Sequence, residues 1–457
     1  MTPPDPSAVI AGRTSNRQSG LLIAGLIIAG VCLLAVSVYY MLAGGIFSTI
    51  FGYVLAIPTA VVMVGLVLLI DRLEPEPWST LAFVFLWGAG VAIVVALVIN
   101  TAGDLLFWTP VFGPETGRFY AAAFGAPPVE ETAKGAVLFL LLWRKRDEID
   151  GPTDGIVYAA MVGLGFALVE NVNYYLQALA TGAITHSGLL PLVITVGLRG
   201  VLSPLCHPMF TAMTGLGVAY AAKHRGAAGF FAVIGGWIGA MVLHFIWNFG
   251  SGLGPPVLIV RAGTIVAYVI LALVLAGLIV VLVMDRKRII ATIQRFLPPY
   301  AQYGIVSPSD VQMLSTLKAR RRARSWASGQ FGAGGKKAMR EYQLAGTELA
   351  MLHSHAESRT VDPRRFAVRR DQLVGLMRAT HNVFSPASGP AQAGPAGPYG
   401  GGYGGQQPPQ PPPQQPPYGQ SGGQPPYGGQ PQSPYGGQQP PYGGQQPPYG
   451  GPQQGGW

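Results

Sequence analysis

Residues 119–143 read FYAAAFGAPPVEETAKGAVLFLLLW, an apolar run that contains two adjacent glutamates, Glu130 and Glu131. The run is long enough to cross a bilayer as a helix. An ionised carboxylate in the hydrocarbon core costs roughly 3 kcal/mol on insertion scales, so a membrane helix keeps one only with a partner or a chemical role. The stretch therefore predicts a membrane helix bundle with a polar site in its interior.

The composition of the whole chain supports the membrane class. Only 11% of the 457 residues are charged, and the mean hydropathy is +0.35 although the last part of the chain is polar. Runs of about 20 apolar residues, each able to span a bilayer, predict an all-α, polytopic bundle of about eight spans. Their approximate bounds are 21–43, 46–70, 80–102, 119–143, 154–180, 189–222, 229–250 and 257–284.

Composition divides the chain into four predicted regions. These are a cytoplasmic N-terminal segment at 1–20, a membrane-embedded domain at 21–285, a basic helical segment at 286–384 and a tail at 385–457. The basic segment includes Ser307-Pro308-Ser309-Asp310, which is typical of a helix start. Its arginines 320, 321, 322 and 324 suit either contact with anionic lipid or a solvated helix face.

The tail carries no charged residue and is dominated by Gly, Pro, Gln, Tyr and Ser. Such a segment cannot bury a core, so we expect it to be disordered. Its repeated Pro-Pro-Tyr makes it a candidate for binding a partner protein, and a simple solvated tether is the alternative.

Loop charges predict the orientation of the helices. If the N-terminus is cytoplasmic, the opposite side receives only Arg118 and Arg261, and all other loop cations fall on the cytoplasmic side. The positive-inside rule then gives a multi-pass protein of the cell membrane with both termini in the cytoplasm. The net charge of +10 follows from this bias and from the basic segment, so the lipid bilayer is the expected partner and nucleic acid is not. The cytoplasmic cations are Arg13, Arg17, Arg72, Arg144, Lys145, Arg146, Lys223, Arg225, Arg286, Lys287 and Arg288.

The two glutamates of the fourth span cannot both face one water molecule, because adjacent helical residues point about 100° apart. We expect one carboxylate to take the catalytic direction and the other to support it. Lys134 lies four positions after Glu130 and three after Glu131, within ion-pair reach of either.

Polar residues recur at helical spacing in the next three spans, so each set shares a face that points into the bundle. Gly163 and Gly165 permit the close helix packing that a narrow site requires. Pro204 and Pro208 predict a kink in the sixth span. The polar sets are Glu170, Asn173 or Tyr174, and Gln177; Arg199, Ser203, His207 and Thr211; and His244 and Asn248.

The predicted depth of these residues in the membrane places the polar sets close together. At 1.5 Å per residue, Glu131, Glu170, His207 and His244 all lie about 20 to 28 Å from the cytoplasmic side, so one layer can hold them. Taken singly, each histidine also suits an interhelical hydrogen bond, and Glu170 suits a structural pair with Arg199. The agreement of four spans favours an intramembrane active site.

The motifs together resemble the PrsW family of intramembrane proteases over roughly residues 50–285, and more distantly the CAAX prenyl proteases and their bacterial relatives. The resemblance implies hydrolysis of peptide bonds in membrane-protein substrates, such as regulatory cleavage of an anti-sigma factor. It implies catalytic roles for Glu130, Glu131, Glu170, His207, His244 and Asn248. The motifs are Asp71-Arg72-x-Glu74-Pro75-Glu76-Pro77, Glu130-Glu131-x-x-Lys134, Phe166-x-x-x-Glu170-Asn171, His207-Pro-x-Phe210 and His244-x-x-x-Asn248.

The resemblance leaves two mechanisms open. The family is called a metalloprotease, which implies zinc held by His207 and His244 with Glu170 or Glu131, although the zinc signature His-Glu-x-x-His is absent from the sequence. In that mechanism Glu130 or Glu131 accepts a proton from the metal-bound water. In the metal-free mechanism of the prenyl-protease type, a glutamate and His207 activate water, and His244 and Asn248 stabilise the oxyanion. Lys134, Asn171 and Arg199 are expected to support the site.

Two functions without hydrolysis also fit a polar layer inside a membrane. Glutamate and histidine relays form ion or proton paths in transporters, but the inverted repeats typical of transporters are not evident here. An inert scaffold that recruits partners through its tail is the other alternative. A scaffold has no need to bear the insertion cost of carboxylates, so the sequence favours the protease.

Deletion of the chain after Ser385 should leave membrane insertion, folding and intrinsic cleavage intact, because an uncharged low-complexity tail contributes no core. The measurement is cleavage of a single-span substrate by full-length and truncated protein in detergent, with a size-exclusion profile for each. An aggregated or inactive truncated protein would contradict the expectation.

Overall fold

The computed structural model of the protein describes residues 18–252, 257–358 and 360–384, and the regular secondary structure in these ranges is helical. The predicted all-α membrane bundle is confirmed. Predictions on Arg13, Arg17, the side chain of Arg261 and the tail fall outside the described residues. In chain order the helices are α1 (Gln18–Gly44), α2 (Ile46–Ile70), α3 (Trp78–Phe112), α4 (Ala126–Arg144), α5 (Pro152–Ile184), α6 (Leu190–Val196), α7 (Cys206–Lys223), α8 (Ala227–Gly252), α9 (Val257–Phe296), α10 (Pro308–Leu314), α11 (Leu317–Glu357) and α12 (Pro363–Phe384).

Seven helices in the described ranges are long and apolar enough to cross a membrane, against the eight expected. The segment that falls short is the one that bears the glutamates, because Glu130, Glu131 and Lys134 lower its hydropathy. A turn at Gly113 nevertheless returns the chain along α3. The indole of Trp87 donates to the carbonyl oxygen of Ala133 at 2.9 Å, and the amide of Asn100 donates to Glu130 at 3.3 Å. The chain between 114 and 144 is thus antiparallel to α3.

Helix α5 lies at the centre of the bundle, with Tyr158, Phe166 and Tyr175 fully buried on its different faces. It packs against α2, α3 and α7. The approach to α7 is made by glycines: a Cβ on Gly155 would lie 2.3 Å from the carbonyl oxygen of Gly215, far inside van der Waals contact. Gly163 and Gly165 make similar contacts with the backbones of His207 and Phe85, which confirms the close packing expected from these glycines.

The sixth predicted span is broken rather than kinked. Helix α6 continues as a π-helical turn, Gly197–Leu202, and then stops before α7 begins at Cys206. Pro204 has no N–H to continue the hydrogen-bond ladder, and Ser203 adopts a non-helical conformation with φ −130° and ψ 33°. Pro208 causes no break because it lies in the first turn of α7, where the missing donor is tolerated.

Helix α9 extends to Phe296, beyond the end predicted near 284. The reason is that Ile289, Ile293 and Leu297 are buried, at most 5% exposed, under the helices that follow. The helix start predicted at Ser307 is confirmed: its side chain accepts from the N–H of Asp310, whose carboxylate accepts from the N–H of Ser307.

Helix α11 reverses direction at Gly332, whose φ of 64° suits glycine, so that its two halves form an antiparallel hairpin. The amide of Gln343 donates to the carbonyl oxygen of Arg320 at 3.0 Å across the two halves. We call residues 317–357 the basic hairpin. We call the end of the bundle against which it packs the basic end, since the loops near 72, 145 and 224 and the part of α9 near 287 lie there with their lysines and arginines.

The loop of the Asp71 to Pro77 motif is fixed at this end between α5 and the basic hairpin. The Arg320 guanidinium donates to the carbonyl oxygen of Leu73 at 3.0 Å. Within the loop, Asp71 accepts from the N–H of Glu76, and the Glu76 carboxylate accepts from the hydroxyl of Tyr158 on α5. Burial raises the pKa of the Asp71 carboxyl to about 7.

Replacement of Gly163 by alanine should destabilise the bundle by about 1–3 kcal/mol, the usual range for overpacking a filled interior. The new Cβ would lie 2.7 Å from the backbone of His207 and Pro208, so α5 and α7 must separate. Gly65→Ala is the matched control, because a Cβ there meets no atom within 4 Å. Thermal unfolding in detergent should show a lower midpoint for Gly163→Ala and an equal or higher one for Gly65→Ala. Equal midpoints for both variants would show that the glycine contact does not constrain the helices.

Candidate active site

Lys134 lies at the centre of the polar cluster and is fully buried. Its ammonium is 2.8 Å from Oε1 of Glu131 and 3.4 Å from Oε2 of Glu130, so the spacing on α4 has produced the ion pairs predicted for both glutamates. The ring of Phe166 covers it, with the ammonium 3.8 Å from the ring centroid. Two carboxylates thus share one cation in a buried part of the bundle.

The two glutamates diverge, as the helix geometry requires. Glu131 is fully buried and accepts hydrogen bonds from the hydroxyl of Thr211 at 3.1 Å and from Nδ1 of His244 at 3.0 Å, in addition to the lysine. Glu130 has looser contacts, at 3.3 Å from the Asn100 amide and 3.9 Å from Nε2 of His244. Glu131 is therefore held in place on all sides, whereas Glu130 is the freer carboxylate.

His207 sits between Lys134 and the third glutamate. Its Nε2 is 2.7 Å from Oε2 of Glu170, and its Nδ1 is 3.0 Å from the ammonium of Lys134. An ammonium can only donate, so Nδ1 carries the lone pair and the proton is assigned to Nε2, which donates to Glu170. The first turn of α7 and the Gly163 contact fix this ring in position.

Glu170 contacts both Arg199 and the polar cluster, which the sequence left as alternatives. It accepts from Nη2 of Arg199 as well as from His207. Arg199 also donates from Nε to Oδ1 of Asn171 at 2.7 Å and stacks over the ring of Tyr174 at 3.8 Å. The structural pair and the contact with the polar cluster therefore coexist.

A cavity of about 20 Å³ lies beside His207, on the side of Arg199 and Asn171. A space of this size holds about one water molecule, and its polar lining offers hydrogen-bond partners. Ser203 and Cys206 also line it, so the break between α6 and α7 contributes directly to its shape.

Three side chains could hold a metal ion: Glu130, His207 and His244 each offer a ligand atom, and these atoms lie within 4.8 Å of one another. One carboxylate and two imidazoles form a common zinc ligand set. Each histidine directs its other nitrogen to a glutamate, His244 to Glu131 and His207 to Glu170, which is the usual orientation of metal-bound histidine.

The net charge of the polar cluster also favours binding of a further cation. Three carboxylates, Glu130, Glu131 and Glu170, face only two cations, Lys134 and Arg199. The residues present therefore fit a divalent metal. A metal ion bound to Nδ1 of His207 would have to displace the ammonium of Lys134 from its contact with that nitrogen.

The third residue of this group differs from the one that the sequence suggested. Glu130 faces the same space as the two histidines, while Glu170 occupies the opposite nitrogen of His207. Direct metal ligation by Glu170 stays a prediction.

Asn248 lies one turn from His244 but outside the cluster. Its amide donates to the carbonyl oxygen of Ala122 at 2.8 Å, in the π-helical turn Ala121–Gly125 that precedes α4. A π-helical turn changes the hydrogen-bond pattern of its neighbours, so this bond ties α8 to the start of the glutamate helix. An oxyanion role for Asn248 stays a prediction.

Three further residues contribute to the site and were not predicted from the sequence. Asn100 contacts Glu130, Trp87 donates to the backbone of α4, and the ring of Phe210 stacks on His244 with centroids 4.9 Å apart. An amide inside an apolar span was a usable signal for Asn100, since such residues point into the bundle. The aromatic residues gave no signal that distinguishes them from ordinary core residues.

Comparison with known proteins agrees with the geometry. A family model described as PrsW family intramembrane metalloprotease matches residues 76–279. Protease PrsW of Geobacillus kaustophilus (strain HTA426) is 34% identical over 123 residues, which is 26% of this chain and 50% of that protein. Protease PrsW of Clostridioides difficile (strain 630) is 30% identical over 156 residues, 34% of this chain and 58% of that protein.

The chain thus spans between half and three-fifths of the length of these curated relatives. No solved structure gives a significant match. The resemblance inferred from the five motifs is confirmed, and residues 76–279 match the PrsW family of intramembrane metalloproteases.

Proposed function

We propose that the protein is an intramembrane protease that hydrolyses a peptide bond of a membrane-protein substrate, of which a single-span regulatory protein is the simplest case. The observation that carries the proposal is the convergence of Glu130, His207 and His244, within 4.8 Å, inside a helix bundle. The match of residues 76–279 to a protease family supports the same reaction.

Each polar residue has a distinct part in this proposal. Glu131 and Glu170 are positioning residues that orient His244 and His207 through hydrogen bonds. Lys134 and Arg199 balance the carboxylates, and the buried environment strengthens every such interaction. Glu130, the freer carboxylate, faces both histidines and is the group best placed to touch the reacting water.

Zinc is the metal that best suits the ligand set, and Glu130, His207 and His244 would hold it. When bound, such an ion lowers the pKa of a coordinated water and polarises the scissile carbonyl. In the metal-free alternative, Glu130 itself takes the proton of the attacking water, with His207 held by Glu170 beside it.

We further propose that the basic end faces the cytoplasm, so that both termini are cytoplasmic and the protein lies in the cell membrane. The support is the positive-inside bias of the short loops at that end. In this orientation the basic hairpin meets the cytoplasmic surface of the bilayer.

One experiment distinguishes the proposed protease from the transporter alternative. Purified protein in detergent is incubated with candidate single-span substrates, with and without a chelator, and the metal content of the protein is measured in parallel. Cleavage that the chelator abolishes supports the metalloprotease. Cleavage unaffected by the chelator supports the metal-free mechanism, and ion flux in proteoliposomes without any cleavage would favour the transporter.

Glu130→Gln and Glu131→Gln should each lower cleavage by at least about 100-fold, in the range for loss of a catalytic acid–base group or its support. Both proteins should still accumulate in membranes, since glutamine keeps the shape and reduces the cost of insertion. Glu115→Gln is the matched control, because Glu115 is exposed on the short helix Pro114–Tyr120. Near-normal cleavage by both site variants would refute the assignment.

His244→Ala should lower the bound metal at least about tenfold, because it removes a ligand whose partner Glu131 would also be released. Asn248→Ala should keep its metal, since the Asn248 amide bonds a backbone carbonyl outside the cluster. His224→Ala, at an exposed loop position, controls for incidental histidine binding. The number of metal ions per protein, measured alongside the turnover rate, distinguishes the two mechanisms. Parent protein without stoichiometric metal, together with equal rate losses in the two site variants, would establish the metal-free mechanism.

A further inference from the structure

A cavity of about 460 Å³ opens at the basic end, between the basic hairpin and the loop of the Asp71 to Pro77 motif. It is remote from the glutamate and histidine cluster, and the proposed protease activity gives it no role. Its lining combines cationic side chains with an apolar wall of Leu68, Trp78 and Leu81. The cationic residues are Arg72, Arg320, Arg324, Lys336, Lys337 and Arg340.

The apolar wall lies where two helices leave the membrane. Leu68 is two residues from the end of α2, and Trp78 is the first residue of α3. Trp78 is 64% exposed at this boundary, a position that tryptophan prefers at membrane interfaces. The cavity therefore meets both the hydrocarbon edge and the aqueous side of the bilayer.

The positive charge of the cavity is not balanced by its own carboxylates. Only Asp71 and Glu76 among the lining residues are acidic. Asp71 accepts from a backbone N–H and Glu76 from Tyr158, so neither is directed at the cations. Burial raises the pKa of both carboxyls, to about 7 for Asp71, which reduces their negative charge further.

Two of the cationic residues have partners within the protein: Arg320 is held by three oxygens, and the Lys337 ammonium lies 3.9 Å from Oε1 of Glu341. Arg320 is 2% exposed, and its guanidinium donates hydrogen bonds to the oxygens of Leu73, Leu314 and Thr347. Burial and the neighbouring charges of Arg340 and Arg72 lower the pKa of Arg324. Cations that repel one another around an open cavity are stabilised by an anion.

We propose that this cavity binds the phosphate headgroup of an anionic phospholipid from the adjacent leaflet. Arg72, Arg324 and Arg340 supply charge-assisted hydrogen bonds to the phosphate, and the wall of Leu68 and Trp78 contacts the first part of an acyl chain. The volume lies in the range of small-molecule sites and suits a headgroup with its glycerol. The bound lipid joins the basic hairpin to the bilayer.

Within the basic cluster at 320–324, Arg324 thereby takes the lipid-contact alternative and Arg321 and Arg322 the solvated one, while Arg320 is bonded to protein oxygens. Arg320 and Arg324 line the cavity, whereas Arg321 and Arg322 are exposed on the hairpin surface. This division supplies the matched control for the test.

The experiment uses the full chain, purified in a neutral detergent, with bound lipid counted by native mass spectrometry. Short-chain phosphatidylglycerol is compared with phosphatidylcholine of the same chain length, with glycerol phosphate and with inorganic phosphate. We expect phosphatidylglycerol to bind at least about tenfold more tightly than each of the other three, because only it offers both the anionic headgroup and the acyl chains. Equal affinity for the free phosphates would show a site for soluble anions, and equal affinity for phosphatidylcholine would remove the role of charge. Either result overturns the proposal.

The variant Arg324→Gln/Arg340→Gln should weaken phosphatidylglycerol binding at least about tenfold. The control Lys318→Gln/Arg322→Gln removes the same charge from exposed positions of the same helix and should change binding by less than about twofold. Equal losses in the two pairs would reduce the effect to general surface attraction and refute the site. If the first variant unfolds, as judged by its thermal midpoint without lipid, Lys336→Gln/Lys337→Gln tests the same cavity from exposed positions and should weaken binding likewise.

Discussion

The balance of buried charge is the constraint on which the rest of the structure depends. Three glutamates in the interior of a membrane bundle are tolerated because Lys134 and Arg199 lie against them. Lys134 arises from the same helix as two of these glutamates, so α4 carries most of its own compensation before it meets any neighbour. The third glutamate depends on Arg199 from the broken sixth span, which explains why that segment must approach α5 closely.

Much of the fold follows from the sequence because lipid imposes length and polarity directly on each helix. Seven of the apolar spans could be predicted from the sequence. Spacing and depth also predicted the convergence of Glu130, Glu131, His207 and His244 and the ion pairs of Lys134. The segment that bears the glutamates is less apolar than the other predicted spans, because it contains Glu130, Glu131 and Lys134. The extent of α9 was missed because Asp285 to Arg288 looks like a membrane boundary, while Ile289 and Ile293 continue the apolar face under the basic hairpin.

The detailed geometry of the site could not be predicted from the sequence in the same way. Spacing along one helix cannot show how it is rotated against another, so the sequence offered Glu170 or Glu131 as the third metal ligand. Glu130 was recognised as a possible ligand only from its position beside the two histidines. The π-helical turns at Trp87–Ala92, Ala121–Gly125 and Gly197–Leu202 shift the register of three of the helices around the site. Such turns have no simple sequence signal, and they contain Trp87, Arg199 and the carbonyl group of Ala122 that accepts from Asn248.

Helix α9 is continuous from the membrane interior to the basic end, and its 40 residues correspond to a length of about 60 Å. Near one end, the carbonyl oxygen of Gly263 lies against Gly250 of α8, the helix that carries His244. Near the other, Ile293 and Leu297 are buried at the basic end. This one helix therefore contacts both the basic end and α8, so the position of the basic hairpin and the position of the helix that carries His244 share a single continuous support.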